Sequence, residues 1–320
     1  MARADNVIDM EPGDFFDPFE FTVTPELNQQ YCFAEGDFDP RYVTGECDSA
    51  PMAHPGFMLN MSNATKSPSH AMKEGYTSLQ AGEENTFLGP MYVGEKFKVT
   101  WQIVDKIEDH GRLFRFTEAK VLDDKGEVRL HRHVKSGAYS KALADDRKKK
   151  EKSGEKPKRP PLLVDEAHRE AMREGSPKIA KSAEVGDVFC GPPKHITFER
   201  LTTFSGGPLS NAPNWPKPNQ HTDYAYAKER GLPTICASAT QYQGHLVALM
   251  IDMFGMDFLT TGKLDFKLIK TVLDLDTVSP AFVITSKEEG GDGTTYGIDV
   301  WTHNQDWQKV LIGGGSFTIR

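Results

Sequence analysis

Cysteine is scarce in this chain of 320 residues, which contains only four. They stand at positions 32, 47, 190 and 236, so no two of them form a Cys-x-x-Cys pair or the spacing of a zinc finger. A disulfide framework and a structural zinc site are therefore not indicated, and we expect free thiols in a reducing compartment.

The chain also lacks an excess of basic residues and any long hydrophobic run. Its net charge is −8, whereas nucleic-acid-binding proteins usually carry a basic face, so we expect no nucleic-acid partner. No apolar stretch reaches the roughly 18 residues of a transmembrane helix, and no membrane partner is expected. The N-terminal MARADNVIDMEPGD has no apolar core of a signal peptide, which predicts a cytoplasmic protein.

Several signatures of catalysis are absent as well. The sequence has no G-x-S-x-G nucleophile elbow, and it suggests no Cys–His pair for nucleophilic attack. The glycine-rich GGDG and IGGGS lack the strand–loop–helix context of a phosphate site. His131 and His133 fall on one face of a predicted strand, but the sequence shows no third ligand, so we predict no metal and no cofactor.

What the chain does contain is enough apolar material for two domains. Hydrophobic residues make up 38% and aromatic residues 10% of the sequence, and the length favours two units. The stretch ADDRKKKEKSGEKPKRPP has almost no apolar residue and predicts a solvated segment between them. The predicted organisation is one domain at 15–141, a charged linker at 142–184 and a second domain at 185–320.

The two predicted domains repeat the same order of features. Each has a short strand and helix start, a loop rich in Pro, Asp or Asn, a junction with Gly, an apolar segment and a run of strands. In the second domain, Leu246–Phe254 is hydrophobic on every side, which predicts a helix buried all round. Turn signals such as EDHG, DDKG and EGGDG separate the strands. We predict an α+β fold in which each domain wraps an antiparallel sheet around one helix.

The loop before the second apolar segment, NWPKPNQHTDYAYA, carries Asn219, His221 and Asp223 at every second position. The first domain has Gly36–Tyr42, GDFDPRY, at the corresponding place. With the repeated order of elements, these motifs resemble the MaoC-like or (R)-specific enoyl-CoA hydratase family of double-hotdog proteins. The resemblance implies two hotdog units, each with a sheet around a central helix, and a hydratase or dehydratase activity on an acyl thioester.

The motif of that family reads Gly-Asp-x-Asn-Pro-x-His. In the first domain Asp39 stands where Asn is expected and Tyr42 where His is expected. The resemblance therefore implies that the first domain is a degenerate copy, in which Tyr42 and His54 shape the acyl pocket. In the second domain Asn219 and His221 match the Asn and His, although they are two residues apart instead of three. The Asp expected five residues before His221 falls on Pro216.

Hydration of a double bond conjugated to a thioester carbonyl needs a base for water and a donor for the developing enolate. His221 is the predicted base, because the pKa of histidine lies near neutrality. Asn219 either positions water or holds the loop by Asx-type hydrogen bonds. Asp223 either orients His221 or caps the helix that follows it, and a cap is the simpler interpretation. These three residues form the predicted catalytic group.

Further residues are predicted to bind the substrate. Gly244 either donates its N–H to the thioester carbonyl or permits close packing where the loop meets the helix. Gln243 offers side-chain donors, and Trp215 is placed to line the pocket.

The predicted function is a hydratase or dehydratase acting on an enoyl or 3-hydroxyacyl thioester, a small-molecule substrate, and the protein is expected to be a homodimer. Two alternatives stay open at this stage. One is a hotdog thioesterase, which requires a carboxylate beside the thioester carbon. The other is a non-catalytic acyl-binding subunit.

Overall fold

The computed structural model describes residues 6–46, 49–109, 111–140, 142–143, 149–150, 153, 160–174, 182–206 and 218–320. Within these ranges, no helix combines the length and the apolar character that crossing a membrane would require. The described chain folds into two similar halves whose strands join in a single sheet.

The first half consists of five strands and three helices. Its strands are β1 (Phe15–Thr22), β2 (Tyr76–Phe87), β3 (Lys96–Asp109), β4 (Arg112–Asp123) and β5 (Val128–Ser140). Its helices are α1 (Pro25–Glu35), α2 (Pro40–Val43) and α3 (Pro55–Met61), followed by a 3₁₀ turn at Ala64–Lys66.

The second half repeats this order after a helix that lies in the connection, α4 (Glu166–Glu174). Its strands are β6 (Val188–Cys190), β7 (Lys194–His195), β8 (Lys263–Leu268), β9 (Thr277–Gly290), β10 (Gly293–Asn304) and β11 (Lys309–Ile319). Its helices are α5 (Phe198–Gly206), α6 (Tyr224–Glu229), α7 (Ala239–Phe254) and α8 (Met256–Thr261).

All neighbouring strands pair in the antiparallel sense, in the order β1-β3-β4-β5-β2-β8-β11-β10-β9-β6, and β7 also pairs with β9. The halves meet where β2 pairs with β8, from Gly82 opposite Lys267 to Thr86 opposite Lys263. The predicted α+β fold, with two hotdog units whose sheets form one continuous surface, is confirmed.

The inner face of the sheet follows from the two-residue period of its strands. In β4, Arg115, Thr117, Ala119 and Val121 are buried, and the residues between them are partly exposed. Successive side chains of a strand point to opposite faces, so one face of β4 lies against the helices and the other faces outward. Two of the four inward positions are polar, which is unusual for a hydrophobic core.

The central helices of the two halves differ in length. Helix α3 has 7 residues and α7 has 16, which corresponds to about 10 Å and 24 Å at 1.5 Å per residue. Helix α7 begins at Ala239, well before the apolar segment Leu246–Phe254 that predicted it. Gln243 and Gly244 therefore lie inside the helix, whereas the sequence pattern placed them at its start.

The two central helices touch at a pair of glycines. A Cβ atom built on Gly244 would lie 2.6 Å from the Cα of Gly56, a distance that real Cβ atoms do not reach. The Glu35 carboxyl fills the remaining space beside both glycines, and its Oε2 lies 2.7 Å from His245 Nε2. Burial raises the pKa of Glu35 well above its usual value and lowers the pKa of His245 well below its own, so it favours the neutral form of each group.

Part of the predicted linker, 142–184, is ordered against the second half. Val164 is buried and packs in a small cluster with Val188, Ala281 and Trp301, and the His168 ring of α4 lies over the Trp301 ring. Most of the lysine-rich stretch 144–159 lies outside the described residues. The connection therefore includes a helix that covers the outer side of the second half, which the charge of the sequence did not predict.

The glycine contact makes a prediction about stability. Gly244→Ala should lower the free energy of unfolding by about 1–3 kcal/mol, the usual effect of overpacking, because the new methyl group meets the backbone of Gly56. Gly291→Ala is the control, since a Cβ at Gly291 meets nothing within 4 Å. Chemical denaturation of the two variants would test this, and equal stability of both would contradict the packing described.

Candidate active site

A cavity of about 550 Å³ lies between the two halves. Its first wall is the inner face of the first sheet, with Trp101, Arg115 and Arg132. Its second wall carries His221, from the loop before α6, and Ser238, the residue directly before α7. The volume falls within the range of about 300–1,000 Å³ that small-molecule sites occupy.

His221 makes two hydrogen bonds that fix its position at this cavity. Its backbone N–H donates to Asn219 Oδ1 over 2.8 Å, and its ring nitrogen Nδ1 lies 2.8 Å from the Cys236 carbonyl oxygen. Asn219 is held in turn, because its Nδ2 donates to the Ser205 carbonyl over 3.3 Å. Asn219 thus ties the loop to α5, the Asx-type role that the sequence left open.

The carbonyl partner determines which nitrogen of His221 carries the proton. A carbonyl oxygen only accepts hydrogen bonds, so Nδ1 is the protonated nitrogen of the neutral ring and Nε2 keeps its lone pair. Among the described residues, no hydrogen-bond partner of Nε2 is seen. Burial lowers the pKa of His221, and the bond to the Cys236 carbonyl partly opposes that change. The imidazole is therefore a neutral acceptor at pH 7.

Asp223 caps the helix that follows the loop. Its carboxylate Oδ1 accepts a hydrogen bond of 2.7 Å from the Tyr226 N–H, and its backbone is extended, as at a regular N-cap. No contact between this carboxylate and the His221 ring is seen in the described structure. Of the two roles considered from the sequence, the structure shows the cap.

A cysteine lies beside His221, a proximity that the sequence did not indicate. The Cys236 sulfur is 3.7 Å from His221 Nδ1, although 15 positions separate the two residues in the chain. Burial raises the pKa of the Cys236 thiol to about 11, so it stays protonated at neutral pH. A protonated thiol is a poor nucleophile, and the pair does not indicate cysteine catalysis.

Tyr42 occupies the position in the first half that His221 occupies in the second. The same backbone hydrogen bond precedes each of them. In the first half the Met52 N–H donates to the carbonyl oxygen of Arg41, the residue before Tyr42. In the second half the Cys236 N–H donates to the carbonyl oxygen of Gln220, the residue before His221. Tyr42 is fully buried, and its hydroxyl has no hydrogen-bond partner among the described residues. It does not line the cavity, so the structure places it away from His221.

His54 is also remote from the cavity and caps α3 instead. Its Nδ1 accepts a hydrogen bond of 3.1 Å from the Gly56 N–H, so Nε2 carries the proton and faces Asp37 Oδ2 at 3.4 Å. Burial of Asp37 opposes its ionisation, but the bond from His54 and the charge of Lys194 outweigh burial and hold the pKa of Asp37 below its usual range. The first half thus keeps the motif aspartate as a support for its helix.

Gln243 and Gly244, which were also predicted to bind the substrate, do not line the cavity. Gly244 packs against Gly56, as described above, and its N–H belongs to the second turn of α7. The Gln243 side chain is fully buried in α7, and its polar atoms have no partner among the described residues. Trp215 lies outside the described residues. The apolar pattern missed the first turns of α7, which explains why Gln243 and Gly244 were expected at the helix start.

A group of three potential metal ligands lies on the opposite, outer face of the first sheet. His131 and His133 of β5 are joined there by Glu118 of β4, and their ligand atoms all lie within 4.8 Å of one another. Lys120 Nζ is 3.0 Å from the second oxygen of Glu118. The third residue was invisible in the sequence, because strand pairing brings it from 13 positions away. The group has no connection with the cavity wall.

Solved structures with the same architecture cover nearly the whole chain. A MaoC-like dehydratase has a TM-score of 0.67 and 16% sequence identity, covering 95% of this chain and 98% of its own. A MaoC domain protein dehydratase from Chloroflexus aurantiacus has a TM-score of 0.67 and 11% identity, covering 98% and 96%. A conserved protein of Mycobacterium tuberculosis with a double hotdog fold has a TM-score of 0.62 and 15% identity, covering 97% of each chain.

These similarities concern the three-dimensional structure. No protein-family model matches the chain, and no curated protein matches it in sequence. The resemblance to MaoC-like double-hotdog proteins, first seen in the motifs, is confirmed at the level of the fold.

The burial of Tyr42 gives a test of its role. Tyr42→Phe should retain the activity of the wild type and its melting temperature, because the hydroxyl neither lines the cavity nor has a described hydrogen-bond partner. Thermal denaturation and a steady-state assay would check both properties. A Tyr42→Phe protein as inactive as a His221→Ala protein would mean that the site lies in the first half instead.

Proposed function

We propose that this protein is a hydratase or dehydratase that acts on a double bond conjugated to a thioester carbonyl, with His221 as its acid/base group. The observation that carries the proposal is the His221 ring, which is held by the Cys236 carbonyl and lines the cavity beside the start of α7. The fold supports it, because neighbours with the same architecture bear the name dehydratase.

In the direction of hydration, His221 Nε2 takes a proton from a water molecule as the water oxygen bonds to the β-carbon. The π electrons of the double bond move onto the α-carbon and the carbonyl, which becomes an enolate. The protonated Nε2 then gives its proton to the α-carbon, so the enolate collapses to the thioester and His221 is neutral again. Dehydration is the reverse sequence, and one histidine suffices for both proton transfers.

The N-terminus of α7 is suited to stabilise the enolate. Ser238 and Ala239 line the cavity, and the helix behind them has 16 residues. The Ser238 side chain makes no capping bond to the first turn, because its hydroxyl pairs with the Thr240 hydroxyl at 3.0 Å. Amide N–H groups of a first turn have no partner within the helix, and the helix dipole adds to their attraction for a negatively charged oxygen.

The thioesterase alternative is disfavoured by the lining of the cavity. A hydrolase of this type needs a carboxylate to activate water at the thioester carbon, and Asp223 was the one candidate from the sequence. Asp223 caps α6, and no Asp or Glu occurs among the described residues that line the cavity. The geometry supports the hydratase better for this reason.

The function can be tested with a panel of 2-enoyl and 3-hydroxyacyl thioesters. His221→Ala should lower kcat by about 10²–10⁴-fold, the usual contribution of a general acid/base, while the melting temperature stays near that of the wild type. His195→Ala serves as the control, because His195 is exposed and lies outside the cavity wall. Loss of the conjugated double bond in the ultraviolet reports hydration. Release of free thiol would indicate a thioesterase instead, and silence with every thioester would indicate a binding subunit.

The pH dependence gives a second test. Only neutral His221 can accept a proton, so kcat/KM should fall as the pH drops through the pKa of this residue in the free enzyme. Since burial lowers that pKa, the acid limb should lie below pH 6.5 or so, the value of an unperturbed histidine. Asp223→Asn should leave the limb in place, because the carboxylate caps α6 and Asn caps about as well. A limb that moves in Asp223→Asn would show that the two side chains interact.

A further inference from the structure

The cavity lies where the first central helix ends. Helix α3 ends at Met61, and the segment Ser62–Thr65 that follows lines the cavity instead of extending the helix. Inward side chains of β2, β4 and β5, such as those of Gln80, Arg115 and Ser136, line it as well. Polar residues can occupy such inward positions without being packed against apolar atoms.

The charge of the cavity is opposite to that of the protein. The described residues that line it include three arginines, one lysine and two histidines, and no aspartate or glutamate. The chain as a whole has 46 acidic and 38 basic residues. A cavity with walls of low dielectric and one sign of charge focuses its field on a ligand of the opposite sign.

One of the arginines, Arg132, is already neutralised. Its guanidinium pairs with the buried carboxylate of Glu83 and also donates to Asn85 Oδ1, the Leu59 carbonyl and Ser62 Oγ. These bonds tie the first sheet to the end of α3. Arg132 is therefore a structural brace, and its charge is not available to a ligand.

The second arginine, Arg115, has no such partner. Its residue is only 4% exposed, and its guanidinium donates through Nη1 to the Val7 carbonyl. The Nε atom is buried without a partner, and no carboxylate pairs with Arg115 among the described residues. Its neighbour His70 is a neutral imidazole at pH 7 and offers Arg115 no counter-charge, because burial and the charge of Arg115 lower the pKa of His70 to about 4. Burying an unpaired cation destabilises a protein by several kcal/mol, so Arg115 is a candidate for pairing with a ligand.

We propose that the cavity takes an acyl group whose far end carries a carboxylate, and that Arg115 binds this carboxylate. The inference rests on the proposed function, since it names the class of substrate for the same site. An arginine fork can donate two parallel N–H bonds to a carboxylate, which fixes its direction as well as its charge. With its carboxylate bound to Arg115 on the first wall, the acyl group would direct its thioester end toward His221 on the second wall.

A second source of negative charge must be distinguished from the acyl group. A phosphate of the thioester carrier could also reach the cavity, whose exposed rim includes Lys270. A carrier phosphate is common to all thioester substrates, whereas a terminal carboxylate is present in only some. Substrates that differ at the acyl terminus alone therefore separate the two sources.

The experiment compares two 2-enoyl thioesters of equal chain length, one ending in a carboxylate and one ending in its methyl ester. The wild type should favour the carboxylate by about 10–100-fold in kcat/KM, since a hydrogen bond to a charged group contributes about 1.5–3 kcal/mol. Arg115→Met should abolish that preference while leaving kcat/KM for the methyl ester near the wild-type value. Equal losses for both substrates would assign Arg115 to the carrier phosphate and overturn the proposal.

A conservative variant separates binding from a structural role. Arg115→Lys keeps the charge and loses the fork, so it should retain part of the preference for the carboxylate. If Arg115 only holds the Val7 segment, both variants should lower the melting temperature and keep the full preference of the wild type. That result would also overturn the proposal.

Direct binding distinguishes a failure of this inference from a failure of the proposed function. Glutarate should raise the melting temperature of the wild type, its uncharged dimethyl ester at the same concentration should raise it less, and Arg115→Met should remove the difference. If glutarate gives no advantage over the dimethyl ester, the carboxylate subsite is wrong whatever the enzyme does. If glutarate binds through Arg115 but no thioester is turned over, the subsite stands and the hydratase proposal fails.

Discussion

The contact between Gly56 and Gly244 is the constraint on which the rest of the structure depends. Only glycines let α3 and α7 approach so closely, and this approach places both helices in the concavity of one sheet. The Glu35 carboxyl fills the gap beside the glycines and lies against His245. The burial that this packing imposes favours the neutral form of the carboxyl, so the close approach of the helices and the raised pKa of Glu35 have the same cause.

The two halves carry different side chains at the position of the motif histidine. At matching backbone positions the first half has Tyr42 and the second has His221. Tyr42 is buried beside His54, and the motif carboxylate Asp37 supports that histidine in its role as a helix cap. His221 instead lines the cavity, together with the segment that follows the end of α3. One copy of the motif is therefore packed in the interior, whereas the histidine of the other lies at the cavity.

The cavity combines groups that come from distant parts of the chain. The first sheet supplies Arg115, the loop before α6 supplies the imidazole, and the start of α7 supplies backbone N–H groups. Each is held by a bond that does not involve a ligand, such as the Cys236 carbonyl on His221 or the Val7 carbonyl on Arg115. Groups fixed in advance need little rearrangement when charge develops on a bound molecule, which is the condition for electrostatic stabilisation of an enolate.

Local patterns in the sequence determined the secondary structure and the duplicated fold. Turn signals between β-rich runs predicted the strands, and the apolar run Leu246–Phe254 predicted the core of α7. The repeated order of elements predicted a duplicated α+β fold, and the resemblance to MaoC-like proteins implied that its two units are hotdogs. The loop with Asn219, His221 and Asp223 could be singled out because its residue types suit acid/base chemistry. Even the cap at Asp223 could be predicted, since an N-cap is a local arrangement of four residues.

Only the tertiary structure decided which of these residues share a cavity. The short α3 and the unpaired Arg115 leave no local signature, because each depends on what a distant segment places next to it. Arg115 is 108 positions from Val7, and Cys236 is 15 positions from His221. A sequence pattern records which face of a helix or strand is buried, whereas the space left between two faces depends on the relative lengths and packing of elements far apart in the chain.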